Sequence, residues 1–548
     1  MFKHPITYIL IFFFFLRILM ICFGLPFWIY NDEPPFILAS LKMMQLKTVL
    51  PVLHESDFTP FFYYPPYISY LFLPFFFVVT IFELIISGGN LTNLQNQIAS
   101  DPSIFFITAR FITIVVSLLT TYLVYKITNN LTKDRVISNI TALLFSTSLM
   151  QILLSVTAKH WMYILLFYTL GIFILSKPEW TLRKRLILSA LVTGIGIGVS
   201  TIVVLFSVIM VLWYLFVEKR TIRNLISDID MYKSAGIIIA LFFVPILLYP
   251  ASLGFTPDMT FHDPKKLFDF ILSPIIFTKT FLFTEPIISI LFLIAITLGF
   301  KKSKEYLYPI LIFIIIYSFA FYTFFRFEYR FLLPLLLLVT IGASFGIRWL
   351  LENLSKKHFV TVITIVLLLA LTLSLRLTFL TYRNDSRVQA KEWLETNLND
   401  SDKVIVYANL TRLPNTKEGI QEQAYIDPES LRTNDKSELK IDPNKRKGRV
   451  FHALNLYTVQ NENFYNMIEE YAKKEKYTYL LVSKEDFLNN PRQHKEVYNL
   501  KNSGKLVASF GNEVGSYSLG KTEIGPTLVP LFQIHEFGPE IEIYKLNF

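Results

Sequence analysis

Trp28-Ile29-Tyr30-Asn31-Asp32-Glu33-Pro34-Pro35-Phe36 closes a long apolar run near the start of the chain with two adjacent carboxylates. A carboxylate costs several kcal/mol to hold in hydrocarbon, so Asp32 and Glu33 belong in the membrane interface or in a wet cavity. About thirty residues further on, Tyr63-Tyr64-Pro65-Pro66-Tyr67 opens a second apolar run. The remainder reads as a scaffold that holds this acidic loop over a membrane-embedded cleft.

Composition supports that reading. The 548 residues are 53% hydrophobic and 16% aromatic, with 52 Phe and 17% charged residues. A soluble protein could not hide so much apolar surface, and repeated apolar runs of about 18 residues or more read as membrane helices. The formal charge of +10 sits in short loops between those runs, which suits membrane orientation and excludes the exposed basic stripe of a nucleic-acid binder. Cys22 stands alone, so an internal disulfide and a multi-cysteine metal site are excluded. No small-residue cleavage site follows the first run, which is expected to remain as an uncleaved span.

Candidate spans lie at roughly 5–27, 65–87, 103–125, 136–156, 158–176, 186–200, 202–217, 234–251, 285–300, 305–323, 329–350 and 359–380. The expected fold is thus an α-helical polytopic membrane protein of about 11–13 transmembrane helices. Basic residues place loops 177–185, 218–233, 301–304 and the turn at Lys356-Lys357 on the cytoplasmic side. That count puts loop 252–284, the Arg326–Arg330 turn and everything after about 381 outside. Lys126, Lys133 and Arg135 favour a cytoplasmic turn near residue 130. Simple alternation would then place Asp32 inside too, unless a segment between 61 and 156 is re-entrant or amphipathic or that short basic turn breaks the rule.

The chain divides into a membrane domain, 1–383, and a polar part, 384–548. The second part has helical spacing over Val388–Leu398, then β-type stretches at Lys403–Tyr407 and Tyr477–Val482. This is a soluble α/β domain of about 160 residues. Residues 409–450, with Pro414, Pro428 and Pro443, read as a long loop.

Asp32 and Glu33 lead the candidates for chemistry, since a general base needs an ionisable group in an enclosed, water-accessible place. A plainer reading has one of them, or Asn31, cap the helix starting at Pro34. That helix, Pro35–Lys47, is too short to span and suits the interface. His54, Glu55 and Asp57, with Glu33, offer ligands for a divalent metal; a solvated loop is the simpler account. Lys159 and His160 lie between two spans and serve either as interface anchors or as site cations. Arg326 and Arg330, spaced i and i+4, suit a phosphate clamp because the guanidinium fork matches phosphate oxygens. A salt bridge with Glu328 or lipid headgroups competes. Lys279 is the outer-loop lysine flanked by apolar sequence. Gly194-Ile-Gly-Ile-Gly198 lies within a span and suits close helix packing. No Walker loop, dinucleotide fingerprint or Ser-His-Asp pattern is present.

In order along the chain, these motifs resemble those of the polytopic C-type-fold glycosyltransferases, the group of protein O-mannosyltransferases and lipid A aminoarabinose transferases. The matching features are Asp32-Glu33 before an interfacial helix, Tyr64-Pro-Pro-Tyr67, Ala109-Arg-Phe111, Gly194–Ser200, Arg330-Phe-Leu-Leu-Pro334, and an outer domain ending in Gly538-Pro-Glu-Ile-Glu-Ile-Tyr-Lys545. The resemblance implies a GT-C membrane domain and an extracytoplasmic tail. It implies sugar transfer at the outer face of the cell membrane, from a polyprenyl-phosphate sugar to a lipid, glycan or protein hydroxyl. It carries the base role to Asp32; because the leaving phosphate carries the charge, Arg330, Arg326 and Lys279 are the candidate phosphate partners on charge grounds. Two departures stand out: Tyr64 where relatives often have a basic residue, and Lys159-His160 where many have an aspartate, so these two residues can supply positive charge. The alternative class is a transporter or flippase of lipid-linked precursors, which would more often show an internal repeat; a catalytically dead relative is the third.

Overall fold

The structure is a computed structural model. It describes residues 5–548 apart from 28, 30–31, 60, 62–64, 251–263, 325–328, 412, 432–434, 437–438, 440–448, 485, 487–493 and 513–527. Among the described residues six helices are long and apolar enough to cross a membrane: Tyr67–Ile86, Ser103–Thr132, Ile229–Leu248, Phe300–Phe321, Arg330–Asn353 and Lys356–Tyr382. Two further apolar pairs are bent: Pro34–Leu46 with Pro51–Phe58 at 80°, and Arg135–Thr147 with Leu149–Ser155 at 61°. Shorter apolar helices include Pro5–Ile18, His160–Leu175 and Pro286–Thr297. The protein is therefore a multi-pass membrane protein with a small soluble domain at its end.

The Leu333–Asn353 helix forms the centre of the bundle, buried along nearly its whole length. Small residues make that depth attainable. A Cβ on Gly346 would lie 2.1 Å from the Leu291 carbonyl oxygen, and one on Gly342 would meet the Phe292 ring, so the Pro286–Thr297 helix lies directly against this face. The glycine-rich span behaves likewise: a Cβ on Gly198 would strike the Tyr67 ring, whose backbone N–H donates to the Gly198 carbonyl at 3.1 Å. Tyr67–Ile86, Ile229–Leu248 and Lys356–Tyr382 expose much of their apolar surface, as lipid-facing helices do.

The two ends of the bundle are chemically distinct. Arg110, near the start of Ser103–Thr132, donates to the Ile21 and Phe23 carbonyls at 2.8 Å and also reaches Glu33. The chain is thus back at the Asp32 end when that helix begins. The basic turns gather at the other end, where Asn130 donates to Ser176, Arg183 pairs with Asp230, Lys219 with Glu305 and Lys302 with Glu352. An even number of passes therefore separates Asp32 from Arg110. The Tyr67–Ile86 helix and the amphipathic Leu91–Ser100 helix fall between these two residues in the chain.

Other expectations need correcting. The supposed outer loop 252–284 contains a 21-residue helix, Pro264–Thr284, whose apolar pattern is interrupted in sequence by Lys265, Lys266 and Lys279. The candidate span 136–156 is two helices broken at Ser148. Loop 409–450 holds the Lys417–Ile426 helix, capped by Thr416, which accepts from the Gly419 N–H.

The C-terminal domain is a five-stranded sheet. Its strands are β1 (Lys403–Tyr407), β2 (His452–Asn455), β3 (Tyr479–Ser483), β4 (Gly504–Phe510) and β5 (Ile541–Leu546), in the order β2-β1-β3-β5-β4. The first three are parallel, with Val404 opposite both Ala453 and Tyr479; β5 and β4 run antiparallel. Period-two alternation splits β1 between two cores. Ile405 and Tyr407 face Leu454, Val497 and Leu500. Val404 and Val406 belong to a core that runs through Val388 and Leu394 to Leu377, Leu380, Met20, Phe23 and Ile29. The Gly24 N–H donates to Asn384 Oδ1 at 3.0 Å, and the Phe23 and Phe537 rings meet at 5.6 Å. The soluble domain is thus seated on the segment that leads into the acidic loop.

Within this domain Glu422 accepts from the Tyr471 and Tyr477 hydroxyls at 2.8 Å and pairs with His452 Nε2 at 2.5 Å. Burial opposes its ionisation, but these three partners outweigh burial and hold the carboxyl at about 2. A depressed carboxyl contributes stability that is fully present above its ordinary 4.5 and is lost as pH falls toward 2. Glu422→Leu is expected to destabilise the sheet by about 2 kcal/mol by stranding its three partners. Faster amide exchange in β2 and β3 of the full-length protein at neutral pH would record this, and unchanged exchange would refute it.

Candidate active site

Asp32 and Glu33 are neighbours in sequence but face different surroundings. The Pro34–Leu46 helix begins with Pro34 and Pro35 at its first positions, and Glu33 occupies the cap position without making a side-chain cap bond. This corrects the capping expectation for Glu33, because a buried arginine claims its carboxylate first. Arg110 Nε and Nη2 donate to the two Glu33 oxygens, each at 2.7 Å, and the Ala158 N–H donates to Oε1 at 2.9 Å. Both side chains are fully buried. Glu33 therefore ties the first loop to the Ser103–Thr132 helix and to the segment just before Lys159.

Asp32 is left facing a cluster of cations. Arg330 Nη1 donates to Asp32 Oδ2, and Lys159 Nζ lies 3.8 Å from the same oxygen. The Asp32 side chain is 24% exposed, against 2% for Lys159 and 10% for Arg330, so the aspartate is the open member of the cluster. Burial alone would raise its carboxyl. Lys159, Arg330 and His160, together with the hydrogen bond from Arg330, outweigh burial and hold it below the ordinary aspartate value.

Aromatic packing fixes these cations. Arg330 lies in the 3-10 turn Tyr329–Leu332 just before the central helix. Its guanidinium sits over the Trp161 ring at 5.9 Å and the Phe331 ring at 5.6 Å. The Tyr317 hydroxyl donates to the Phe331 carbonyl at 2.7 Å, which anchors the turn. His160 is buried between Phe36 and Trp161, with ring centroids at 5.6 and 4.8 Å.

Asp32, Lys159, His160 and Arg330 are thus brought together from three distant parts of the chain. Lys279 is exposed on the Pro264–Thr284 helix. Tyr64 and Arg326 lie outside the described residues, as does Glu328. His54, Glu55 and Asp57 fall in the short turns after the interfacial helix, where Asp57 pairs with Lys42 at 2.9 Å. Among the described residues no group of three or more His, Cys, Asp or Glu side chains is placed to hold a metal ion. Sequence reading missed the role of Arg110. Its signal was a charge inside an apolar run, which demands a partner.

Residues 74–260, about a third of the chain, match the family model for dolichyl-phosphate-mannose-protein mannosyltransferase. That stretch holds Arg110, Lys159 and His160 but neither Asp32 nor Arg330. No curated protein matches in sequence. Among solved structures, ArnT from Cupriavidus metallidurans in the apo state aligns at 10% identity over 82% of this chain and 86% of that one, with a TM-score of 0.39. The same protein bound to undecaprenyl phosphate aligns at 10% identity over 92% and 95%, with a TM-score of 0.43.

Proposed function

We propose that this protein transfers a sugar from a polyprenyl-phosphate-linked donor to a hydroxyl of a lipid, glycan or protein on the extracytoplasmic face of the membrane. The observation that carries the reading is one partly open carboxylate, Asp32, shared by two nearly buried cations, Arg330 and Lys159. The side of transfer follows from charge: the basic loops gather at the opposite end of the bundle, which the positive-inside rule assigns to the cytoplasm.

In the proposed step the acceptor oxygen attacks the anomeric carbon and its proton passes to the Asp32 carboxylate. The bond from that carbon to the phosphate oxygen breaks, and the lipid phosphate departs with the electron pair. Charge develops on the phosphate, so fixed cations are most useful there. Arg330 and Lys159 serve as the phosphate partners, and the sugar moves with inversion. A carboxylate bound to a guanidinium is a weak base. Donor phosphate, with more charge and a matching geometry, draws Arg330 away, and Asp32 becomes more basic as substrate arrives. Lys279, Arg326 and Tyr64 remain proposed contacts to the donor.

Arg330→Met tests this. The expected result is a 10- to 100-fold loss of affinity for undecaprenyl phosphate in lipid nanodiscs. A second readout is the pH profile of kcat/KM, which reports the free enzyme. In the native protein its acidic limb is expected below the ordinary aspartate value, because Lys159, Arg330 and His160 favour the ionised carboxylate. Removing Arg330 removes a cause that lowers the Asp32 pKa, so the limb moves to higher pH. Unchanged affinity together with an unmoved limb would overturn the assignment.

A further inference from the structure

We propose that Arg17 and Glu285, two charges buried within the bundle, are positioning residues that set Lys159 against Asp32 by clamping the short Leu149–Ser155 helix. The inference deepens the donor-site reading above and rests on it.

The helix that starts at Arg135 breaks at Ser148 and resumes at Leu149 with a 61° change of direction. A break inside a membrane bundle exposes backbone polar groups, which must find partners in the protein. Two ionisable side chains supply them, one from each of two other elements. Glu285, just ahead of the Pro286–Thr297 helix, accepts from Ser148 Oγ at 2.7 Å and from the Met150 N–H at 2.9 Å. Arg17, from the first helix, donates to the Ser146 carbonyl at 3.3 Å, to Ser155 Oγ at 3.0 Å and to Gln151 Oε1. Gln151 and Ser155 are one turn apart, so Arg17 grips one face of the resumed helix over that turn. Each of these contacts is buried. Ser148 and Met150 on one side, and Ser146, Gln151 and Ser155 on the other, are uncharged, so the arrangement is not a simple ion pair.

The clamped helix has one outlet. Ser155 runs through Val156 and Thr157 to Ala158, whose N–H is held by Glu33, and the next residue is Lys159. Both ends of this segment are therefore fixed, at Ser148 and at Ala158, and Lys159 follows directly. A shift of the short helix along its axis would pull on the bond from the Ala158 N–H to Glu33 and displace Lys159 relative to Asp32.

The experiment is a mutant cycle on the full-length protein in lipid nanodiscs, with undecaprenyl phosphate as the probe and its dissociation constant as the readout. Lys159→Met is expected to weaken binding at least 10-fold. Glu285→Leu and Arg17→Met are each expected to weaken it several-fold in the native background and less than twofold when Lys159 is already methionine. Glu285→Gln keeps an acceptor oxygen for the Met150 N–H and should hold affinity within about threefold. Effects of Glu285→Leu that add in full to Lys159→Met would overturn the proposal, as would no effect of Glu285→Leu where Lys159→Met has one. An unchanged affinity in Lys159→Met would overturn the donor-site reading and this proposal with it. Should Glu285→Leu fail to assemble, Ser148→Ala removes one of the two Glu285 bonds and carries the same cycle, with additivity again the overturning result.

Discussion

Asp32→Asn is expected to lower the rate of sugar transfer by about 10²- to 10⁴-fold, the range for removing a positioned general base. Asparagine has nearly the same shape and keeps an acceptor oxygen for Arg330 and Lys159, but at neutral pH it takes no proton. Binding should move the other way. The native carboxylate neutralises part of the charge on Arg330 and Lys159, which lie against it in a largely buried cluster. Without that negative charge the empty site is more positive, and undecaprenyl phosphate should bind as tightly as before or more tightly. This split separates two roles for Asp32. A residue that merely held Arg330 in place would, on substitution, weaken phosphate binding along with turnover. The measurement is release of radiolabelled sugar from a polyprenyl-phosphate donor in membranes, beside the dissociation constant for undecaprenyl phosphate. Turnover equal to the native protein would exclude Asp32 as the base.

How far such a site could be read in advance depends on the kind of signal each part leaves. Apolar length is legible because hydrocarbon demands it, so Ser103–Thr132 and Lys356–Tyr382 stand out at once. The Pro264–Thr284 helix did not, since three lysines and Pro274 break its apolar pattern. The bend at Ser148 left Ser146, Thr147, Ser148, Gln151 and Ser155 as polar marks in an apolar run, and their meaning depends on Arg17 and Glu285, far away in sequence. β1 was legible because Val404 to Tyr407 alternate between two buried faces. The Lys417–Ile426 helix was not, because it presents few apolar side chains and its order comes from Thr416 at its start and from Glu422 within it. Asp32 announced itself as a charge that hydrocarbon would reject. Which cations it meets is a property of the fold, since Lys159 and Arg330 lie on separate elements. Arg17 and Arg110 were legible by the same rule and were passed over: an arginine in an apolar run needs a partner, and each has several.

Glu33 shows why adjacent carboxylates need separate tests. Arg110→Met, which removes the guanidinium and leaves Glu33 buried, is expected to destabilise the membrane domain by about 3–5 kcal/mol, the usual cost of breaking a buried ion pair from one side. The pair is bidentate at 2.7 Å on both bonds, and Arg110 also holds the Ile21 and Phe23 carbonyls, so more than one element loosens. Glu33→Gln strands the arginine charge in its turn and should cost a similar amount. Because Glu33 adjoins Asp32 and holds the Ala158 N–H beside Lys159, transfer activity should fall with stability in both variants, whereas Asp32→Asn should lose activity at nearly native stability. Replacing both partners with leucine removes both buried charges and should recover part of the stability. Thermal unfolding of the purified protein in detergent, run beside the transfer assay, reads both quantities. Should Glu33→Gln keep native stability and lose only turnover, Glu33 would join Asp32 as a reacting group, and the division of labour between the two carboxylates would be wrong.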